Sequence, residues 1–276
     1  MVVISEIKET GPLLHITFKD GTTLSTENID ITPSELMGKD LGKLNTGNFS
    51  LNWLSHQFEA LEQGTTALDL LSKNYAPAVQ TTSYIGQFCP AMQQSLDQAL
   101  TDICLMDVSC DISETALKNL RLGRGRFLRL RLIGKWKNDQ ITNFLRALKG
   151  LPIDCVELPL GTYDKTFQQQ SLITLATRLE VHKIEEVLSS KPTHRLHLNP
   201  VLLGGMKETL EIATRAKALL LDPIITAPPL SAPSMRACVY LARAIDLQGH
   251  FAHDLDQIIE VDNVPSLQIQ AGWLID

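Results

Sequence analysis

The densest group of chemically active side chains is a run of arginines between residues 121 and 131, with Phe127 among them. Arginines interleaved with aromatic rings can bind phosphate groups or unpaired bases. The chain carries a formal charge of −6, however, and phosphate binding depends on a positive field. We therefore interpret the run as a polar strand face and a basic turn, neutralised by neighbours such as Asp107 and Glu157, and expect no nucleic-acid partner.

Histidines offer a second kind of chemistry. His250 and His253 stand three residues apart beside Asp254, a spacing that on a helix can supply metal ligands. No third ligand can be identified, so we predict a solvated turn after Gly249. On a strand, three-residue spacing would point His194 and His197 to opposite faces. We expect neither a metal nor another cofactor.

Common catalytic motifs are missing from the sequence. There is no Gly-x-Ser-x-Gly, no Gly-x-Gly-x-x-Gly after a strand, and no Walker-type Gly-Lys-Ser/Thr. The cysteines number five and never form Cys-x-x-Cys, which indicates reduced thiols in the core. These absences argue against the commonest nucleotide-binding and hydrolase functions.

The elements that position these residues are clearest between residues 127 and 160. Apolar and cationic residues alternate along 127–134, as in a strand with one buried face. A helical pattern follows from Asp139 and stops at Gly150 and Pro152, and a second strand is predicted over 153–160. Residues 193–200 and 216–223 superpose without a gap at a spacing of 23, and each ends in a polar residue and a proline. Spacings of this size with a strand and a helix in each unit are typical of a solenoid.

The segment Phe127 to Leu160 resembles the α/β leucine-rich repeats of the ribonuclease-inhibitor type. The carrying motif is Ala-Leu-x-x-Leu-Pro within residues 146–152. The resemblance covers residues 48–225 and implies an α/β solenoid whose exposed strand face binds a protein partner. The residues it places on that face are Arg129, Arg131, Glu157, Arg195 and His197. Degenerate repeats without a signal peptide also resemble bacterial effector proteins delivered into host cells.

The segments that flank the array are predicted to be caps. Residues 1–47 contain a hairpin that turns at Asp20-Gly21, a strong two-residue turn signal. Residues 226–276 contain a helix from about Ser234 to Asp246 and an edge strand over 267–274. The sequence shows no secretory signal and no apolar run long enough to span a bilayer. We expect a cytoplasmic protein, or one delivered by a route independent of a signal peptide, with no membrane partner.

The alternative fold is a (β/α) barrel or an open α/β sheet that carries a small-molecule enzyme. Its catalytic residues would then follow the strands, and the candidates are Asp107, His197, Asn199 and Asp222. Parallel strands in such folds are buried on both faces and read as continuous apolar runs. The alternating Arg129 and Arg131 favour an exposed polar face instead. The sequence therefore predicts a binding scaffold rather than an enzyme.

Overall fold

The structure is a computed structural model of the 276-residue chain. The residues it describes are 4–27, 31, 36, 38, 39, 48–89, 92–112, 119–123, 125–159, 161, 162, 164–170, 172–260, 267–270 and 273–275. None of the helices in these ranges combines the length and the apolar composition that a bilayer-crossing helix requires.

The N-terminal part is a small antiparallel sheet of β1 (Ile4–Thr10), β2 (Leu13–Phe18) and β3 (Thr23–Glu27). The predicted hairpin is confirmed, because β2 and β3 pair antiparallel around Gly21. The sheet packs on helix α1 (Phe49–Glu62), which begins where the Asn48 side chain accepts a hydrogen bond from the Leu51 amide. Helix α1 thus connects the small sheet to the rest of the fold.

The main sheet contains seven parallel strands whose spatial order follows the chain. After the short β4 (Val79–Gln80), these strands are β5 (Ser83–Gln87), β6 (Ile103–Val108), β7 (Phe127–Leu132), β8 (Ile153–Glu157), β9 (Leu175–Arg178), β10 (Arg195–Leu198) and β11 (Asp222–Ile225). The remaining helices are α2 (Ala67–Leu71), α3 (Gln93–Asp97), α4 (Asn138–Ala147), α5 (Lys165–Gln170), α6 (Ile184–Ser190), α7 (Met206–Ala218) and α8 (Ala232–Ile245). Alternation of parallel strands with helices is the construction of an α/β fold.

A short segment late in the chain joins the two edges of this sheet. His253 forms a parallel bridge with Thr81, just before β5, and Asp254 forms one with Thr226, just after β11. The amide of Asp254 donates to the carbonyl of Ile225 over 3.0 Å. These bridges close the seven strands into a barrel, which agrees with the alternative fold, and the solenoid prediction is wrong. Within the predicted C-terminal cap of residues 226–276, residues 253 and 254 therefore lie in the barrel wall.

Both faces of the strands are buried. The alternation of apolar and cationic residues therefore does not indicate a solvent-exposed face. On β7, Leu128, Leu130 and Leu132 pack in an apolar cluster with residues of α4 such as Phe144. The intervening Arg129 is completely buried inside the barrel. Alternation therefore marks an apolar outer layer and a charged interior, and the predicted exposed strand face is wrong.

The matched pair at 193–200 and 216–223 does not consist of equivalent units. Residues 195–198 form β10, but helix α7 continues to Ala218 and β11 begins only at Asp222. Between them Leu220 has a left-handed φ of 62° and is 91% exposed. The leucine-rich stretch is therefore the end of a helix and its turn.

The predicted helices after Lys137 and before Asp246 are confirmed as α4 and α8.

The end of the chain adds two short strand pairs. The strands β12 (Leu230–Ser231) and β13 (Ile258–Ile259) pair in parallel. The predicted edge strand over 267–274 is instead two strands, β14 (Gln268–Gln270) and β15 (Trp273–Ile275), which pair antiparallel. β15 also pairs with β4.

Candidate active site

The barrel interior contains an ion network around the fully buried Arg129. Its Nε atom donates to Oδ2 of Asp154 over 2.8 Å, and its Nη1 atom donates to Oδ1 of Asp254 over 2.7 Å. Nη1 of Arg195 donates to both carboxylate oxygens of Asp154, each over 2.8 Å. Burial alone would raise the pKa of Asp154, but the two guanidinium groups hold it at about 2. This network fills the barrel below the site.

A second set of ionisable residues lies at the C-terminal ends of the strands. Arg131 on β7 binds Asp107 on β6 through two bonds, of which the Nη2 to Oδ2 bond is 2.9 Å. The Tyr84 hydroxyl donates to the same carboxylate over 2.8 Å. In-register pairing of Asp107 with Arg131, and of Arg131 with Glu157, places the three side chains side by side. The sequence-based interpretation that acidic neighbours neutralise Arg131 is confirmed.

Glu157 forms the centre of this set. Its Oε2 atom lies 2.5 Å from Nδ1 of His197, and its Oε1 atom lies 3.1 Å from Nη2 of Arg178. Although burial would raise it, the pKa of Glu157 is lowered to about 2 by His197, Arg178 and Arg131. The ionised carboxylate accepts the hydrogen bond, so Nδ1 of His197 carries the proton and the imidazole ring is fixed in orientation.

A cavity of about 180 Å³ opens beside these residues at the C-terminal ends of the strands. Its polar lining includes Arg131, Arg178, Asn199, Thr226, Asp254 and Asp256. Leu105 and the Pro228-Pro229 turn contribute apolar walls. In (β/α) barrels this end of the strands is where substrates bind and where catalytic residues lie. The cavity is therefore the candidate active site.

Several buried polar atoms of the lining residues have no hydrogen-bond partner within the described part of the chain. They are Nε of Arg178, Oγ1 of Thr226 and Oδ2 of Asp254. Thr226 and Asp254 are only 3% and 6% exposed. A buried polar group without a partner is costly, so such atoms indicate where a ligand supplies the missing bonds. The cavity thus offers N–H and O–H donors together with a carboxylate oxygen.

Asp256 is the lining residue whose acidity is suited to proton transfer. Burial, and to a lesser extent the nearby Asp254 carboxylate, raises the pKa of Asp256 to about 6. Its Oδ2 atom accepts a hydrogen bond from the Tyr84 amide, which fixes the carboxyl group in place. A carboxyl group with a pKa close to neutrality can both take up and release a proton under physiological conditions.

The residues predicted to bind a protein partner lie inside the barrel. Arg129 and His197 are 0% exposed and Glu157 is 4% exposed, while Arg131 and Arg195 are only partly accessible. The protein-binding interpretation of this set is wrong, because the charges that suggested an exposed face are paired across the barrel. Arg131, Glu157 and His197 belong to the upper set, whereas Arg129 and Arg195 belong to the network below.

The alternative catalytic candidates divide between the two ends of the barrel. Asp107, His197 and Asn199 lie at the C-terminal ends of their strands, as expected of that fold. Asn199 also accepts a hydrogen bond from the Val201 amide, the turn-stabilising role that amides at strand ends often have. Asp222 is the first residue of β11 and so lies at the opposite end.

Among the polar cavity residues, Arg178, Thr226 and Asp256 were not considered from the sequence, and Asp254 was considered only beside the histidine pair. The predicted solvated turn is wrong for His253 and Asp254, which are 1% and 6% exposed. The period-two spacing of Asp254 and Asp256 was the available signal, because it places both side chains on one face of an extended segment. Arg178 is the last residue of β9 and Thr226 directly follows β11, and these short strands carry no comparable signal.

A larger cavity of about 720 Å³ lies away from these groups, between α4 and α5. Its walls are mainly apolar, with Leu145, Leu148 and Phe167 among them. The described residues that line it include no carboxylate and no histidine. It lacks the convergent polar groups of the smaller cavity, so the smaller one is the better candidate site.

The sequence matches no family model and no curated protein. The fold is nonetheless similar to solved structures over nearly the whole chain. A dipeptide epimerase from Enterococcus faecalis V583, solved with Mg and the dipeptide L-Leu-L-Tyr, has a TM-score of 0.80 at 15% identity and covers 99% of this chain and 93% of its own. A mandelate racemase/muconate lactonizing family protein from Azoarcus sp. EbN1 has a TM-score of 0.78 at 15% identity, covering 99% and 90%. A muconate cycloisomerase from Azorhizobium caulinodans has a TM-score of 0.77 at 14% identity, covering 99% and 93%.

These similarities show the fold and correct several expectations. The neighbours are (β/α) proteins of the mandelate racemase/muconate lactonizing kind, so the resemblance to leucine-rich repeats and to bacterial effectors is wrong. They are named as enzymes, which contradicts the expectation of a non-enzymatic scaffold. The expected protein partner is contradicted too, because its proposed surface is buried and the epimerase neighbour holds a small peptide.

Proposed function

We propose that this protein is an enzyme that moves a proton on a small amino or hydroxy acid bound at the C-terminal end of the barrel. The observation that carries the proposal is the cavity that brings Arg131 and Arg178 together with Asp254 and Asp256. The names of the structural neighbours, which include an epimerase and a cycloisomerase, support an isomerase.

The guanidinium groups of Arg131 and Arg178 are suited to bind the carboxylate of the substrate. Nε of Arg178 is buried without a hydrogen-bond partner among the described residues, and Arg131 lines the same cavity. Arginine presents several N–H donors in a plane, a geometry that matches a carboxylate. We assign the substrate carboxylate to these two residues.

The Asp254 carboxylate accounts for the other end. Its Oδ1 atom is bound to Arg129, but its Oδ2 atom lacks a hydrogen-bond partner in the described structure. A substrate ammonium or hydroxyl group would satisfy this acceptor, and the buried Thr226 hydroxyl could bind the same group. The 180 Å³ cavity holds the equivalent of about six water molecules, at about 30 Å³ each, which suits a small substrate.

Asp256 is assigned the proton transfer. Its ionised carboxylate takes the proton from the carbon next to the substrate carboxylate, and the electron pair moves into the carboxylate to give an enediolate. The guanidinium groups of Arg131 and Arg178 stabilise this negative charge more strongly than that of the ground state. The proton then returns from Asp256 to the same carbon, or another donor supplies one on the opposite face.

Proton exchange in heavy water tests this assignment. The protein is incubated in D₂O with a panel of small amino and hydroxy acids, and loss of the Cα proton signal is followed by NMR. We expect exchange with at least one acid, at a rate that rises with pH through about 6, where Asp256 ionises. Asp256→Asn should slow exchange by about 100-fold or more while the acid still binds.

Asp97→Asn is the matched control, because Asp97 is exposed on α3 and Asn retains an acceptor for Gln93. This variant should exchange at the wild-type rate. Wild-type exchange by Asp256→Asn would contradict the role of Asp256. The absence of both binding and exchange across the panel would contradict the proposed function.

A further inference from the structure

The side chains at the C-terminal ends of the strands determine whether this chain can bind a divalent cation. The epimerase neighbour was solved with Mg. Among the residues that the structure describes, Glu157, His197 and Asp254 form a group with the spacing of metal ligands, since their ligand atoms all lie within 4.8 Å of one another. All three are buried. The cluster therefore has to be compared with what magnesium requires.

Most donor atoms of this cluster already have partners, whereas Nε2 of His197 and Oδ2 of Asp254 have no hydrogen-bond partner among the described residues. Glu157 lies 3.1 Å from Arg178 through Oε1 and 2.5 Å from His197 through Oε2. Asp254 is bound to Arg129 over 2.7 Å through Oδ1, and only its Oδ2 atom is left without a hydrogen bond. Magnesium requires near-octahedral oxygen coordination, and one of these three ligands is a nitrogen. The set does not fit magnesium.

The local charge also disfavours a divalent cation. The carboxyl groups of the cavity and of the ion network below it are those of Asp107, Asp154, Glu157, Asp254 and Asp256, and the guanidinium groups beside them are those of Arg129, Arg131, Arg178 and Arg195. Four positive charges against five negative ones leave a net charge of −1. Protonation of Asp256 would reduce it to zero. Magnesium is normally bound through carboxylates and waters, whereas here Asp107, Glu157 and Asp254 each already have a guanidinium partner.

We infer that Arg131 and Arg178 take the place of a divalent cation in this barrel, so that the protein binds its substrate anion and works without a metal. Both guanidinium groups line the cavity, and each is held in position by a carboxylate: Asp107 for Arg131 and Glu157 for Arg178. Because the guanidinium groups are already held in place in a largely buried site, they can stabilise negative charge that develops on the substrate without first having to move. The inference rests on the proposed function for what the arginines stabilise, but the metal question can be tested separately.

Metal binding measured directly provides the test. Protein dialysed against EDTA is titrated with Mg²⁺, Mn²⁺ and Zn²⁺ by calorimetry, and the melting temperature is followed with each ion. We expect no saturable binding tighter than about 1 mM and no rise in melting temperature. EDTA should also leave the rate of Cα proton exchange unchanged.

Removing the guanidinium groups should create a metal site. Arg131→Met with Arg178→Met leaves Asp107 and Glu157 without their cations, and we expect Mn²⁺ to bind at least about tenfold more tightly than to the wild type. Arg131→Lys with Arg178→Lys keeps the charge and should not gain affinity. Arg215→Met is the control, because Arg215 pairs with the exposed Glu185 far from the cavity.

The outcomes separate the two proposals. Stoichiometric binding of a divalent ion by the wild type, lost in Glu157→Gln, would overturn the metal-free inference. A folded double Met variant that gains no affinity would overturn it as well. The wild-type titration remains decisive if the double variant does not fold. Absence of proton exchange in a protein that binds no metal would overturn only the proposed function.

Discussion

The Nη1 atom of Arg129 lies 2.7 Å from Oδ1 of Asp254, although 125 residues separate the two in sequence. The same nitrogen also donates to the carbonyl of Ala252 over 2.9 Å. Arg129 comes from the middle of the sheet, whereas Asp254 comes from the segment that joins the sheet edges. The ion pair therefore ties the closing segment to the opposite wall of the barrel, directly beneath the cavity.

Arg129→Met should destabilise the protein severely. The variant leaves Asp154 and Asp254 buried with less compensating charge, and breaking a buried ion pair costs about 3–5 kcal/mol. Urea unfolding at pH 7 measures the free energy of unfolding. Arg215→Met, at an exposed pair, should cost less than about 1 kcal/mol. Equal losses in the two variants would contradict the role of the Arg129 network.

Asp256→Asn should stabilise the protein at alkaline pH. Burial raises the pKa of Asp256 to about 6 in the folded protein, above the ordinary value of 3.8. The folded state therefore loses stability relative to the unfolded state as the pH rises from about 4 through 6. Asparagine removes this loss and still offers an oxygen to the Tyr84 amide. The melting temperature of the variant should exceed that of the wild type at pH 8 and approach it at pH 4. A constant difference across this range would show that ionisation is not its cause.

His253→Asn should make the protein less sensitive to mild acid. Burial lowers the pKa of His253 to about 4, whereas the ordinary value is 6.5. As the pH falls below 6.5, the unfolded chain binds a proton that the folded protein does not, so stability decreases. The Asn oxygen can replace Nδ1, which accepts a hydrogen bond from the Ile225 amide.

Urea midpoints at pH 7, 6 and 5 check this prediction. The decrease should be smaller in His253→Asn than in the wild type, while His182→Asn, at an exposed position, should follow the wild type. Parallel curves for all three proteins would count against a neutral buried His253.

Gly205→Ala should be more harmful than a glycine replacement at an open turn. Gly205 has a φ of 129°, and a Cβ atom there would lie 2.7 Å from Cγ of Asn52. Asn52 cannot easily move, because its Oδ1 atom accepts a hydrogen bond from the Met206 amide at the start of α7. Gly134→Ala, at a φ of 81°, has a backbone penalty of about 1 kcal/mol and no atom lies within 4 Å of its Cβ, whereas the φ of 129° and ψ of −170° at Gly205 are adopted almost only by glycine.

Chemical denaturation compares the two glycine variants. We expect Gly205→Ala to lose at least about 1 kcal/mol more than Gly134→Ala, because it adds a clash to the backbone strain. Similar losses would mean that Asn52 moves aside at little cost.

Periodicity and turn signals correctly predicted the elements whose formation depends on residues close together in the chain. The unit from β7 through α4 to β8 was correctly placed, because its periodicity and its Gly150 stop signal are contained within 31 residues of sequence, from Phe127 to Glu157. The hairpin at Gly21 and helix α8 follow for the same reason. Such features need no knowledge of the distant chain.

The closure of the sheet and the site required contacts that no local pattern contains. Alternating leucine and arginine on β7 suits an exposed strand face as well as a charged barrel interior, and only the distant Asp254 decides between them. Residues 216–223 matched 193–200 in apolar pattern, but Ala218 ends a helix packed on the sheet. Asp107, His197 and Asn199 were catalytic candidates only under the alternative fold, and Arg131 and Glu157 were assigned to an exposed protein-binding face instead of a cavity. The distant segment that supplies Asp254 and Asp256 was not assigned to the candidate site.

The closing segment has a consequence for the order of events during synthesis. His253 and Asp254 leave the ribosome after all seven strands that they join. Until they emerge, Arg129 lacks the Asp254 carboxylate and the edges of the sheet remain unpaired. Domains fold as units during translation, so a nascent chain shorter than this segment holds an open sheet without Asp254 and Asp256. Barrel closure and assembly of the candidate active site are therefore the same late event.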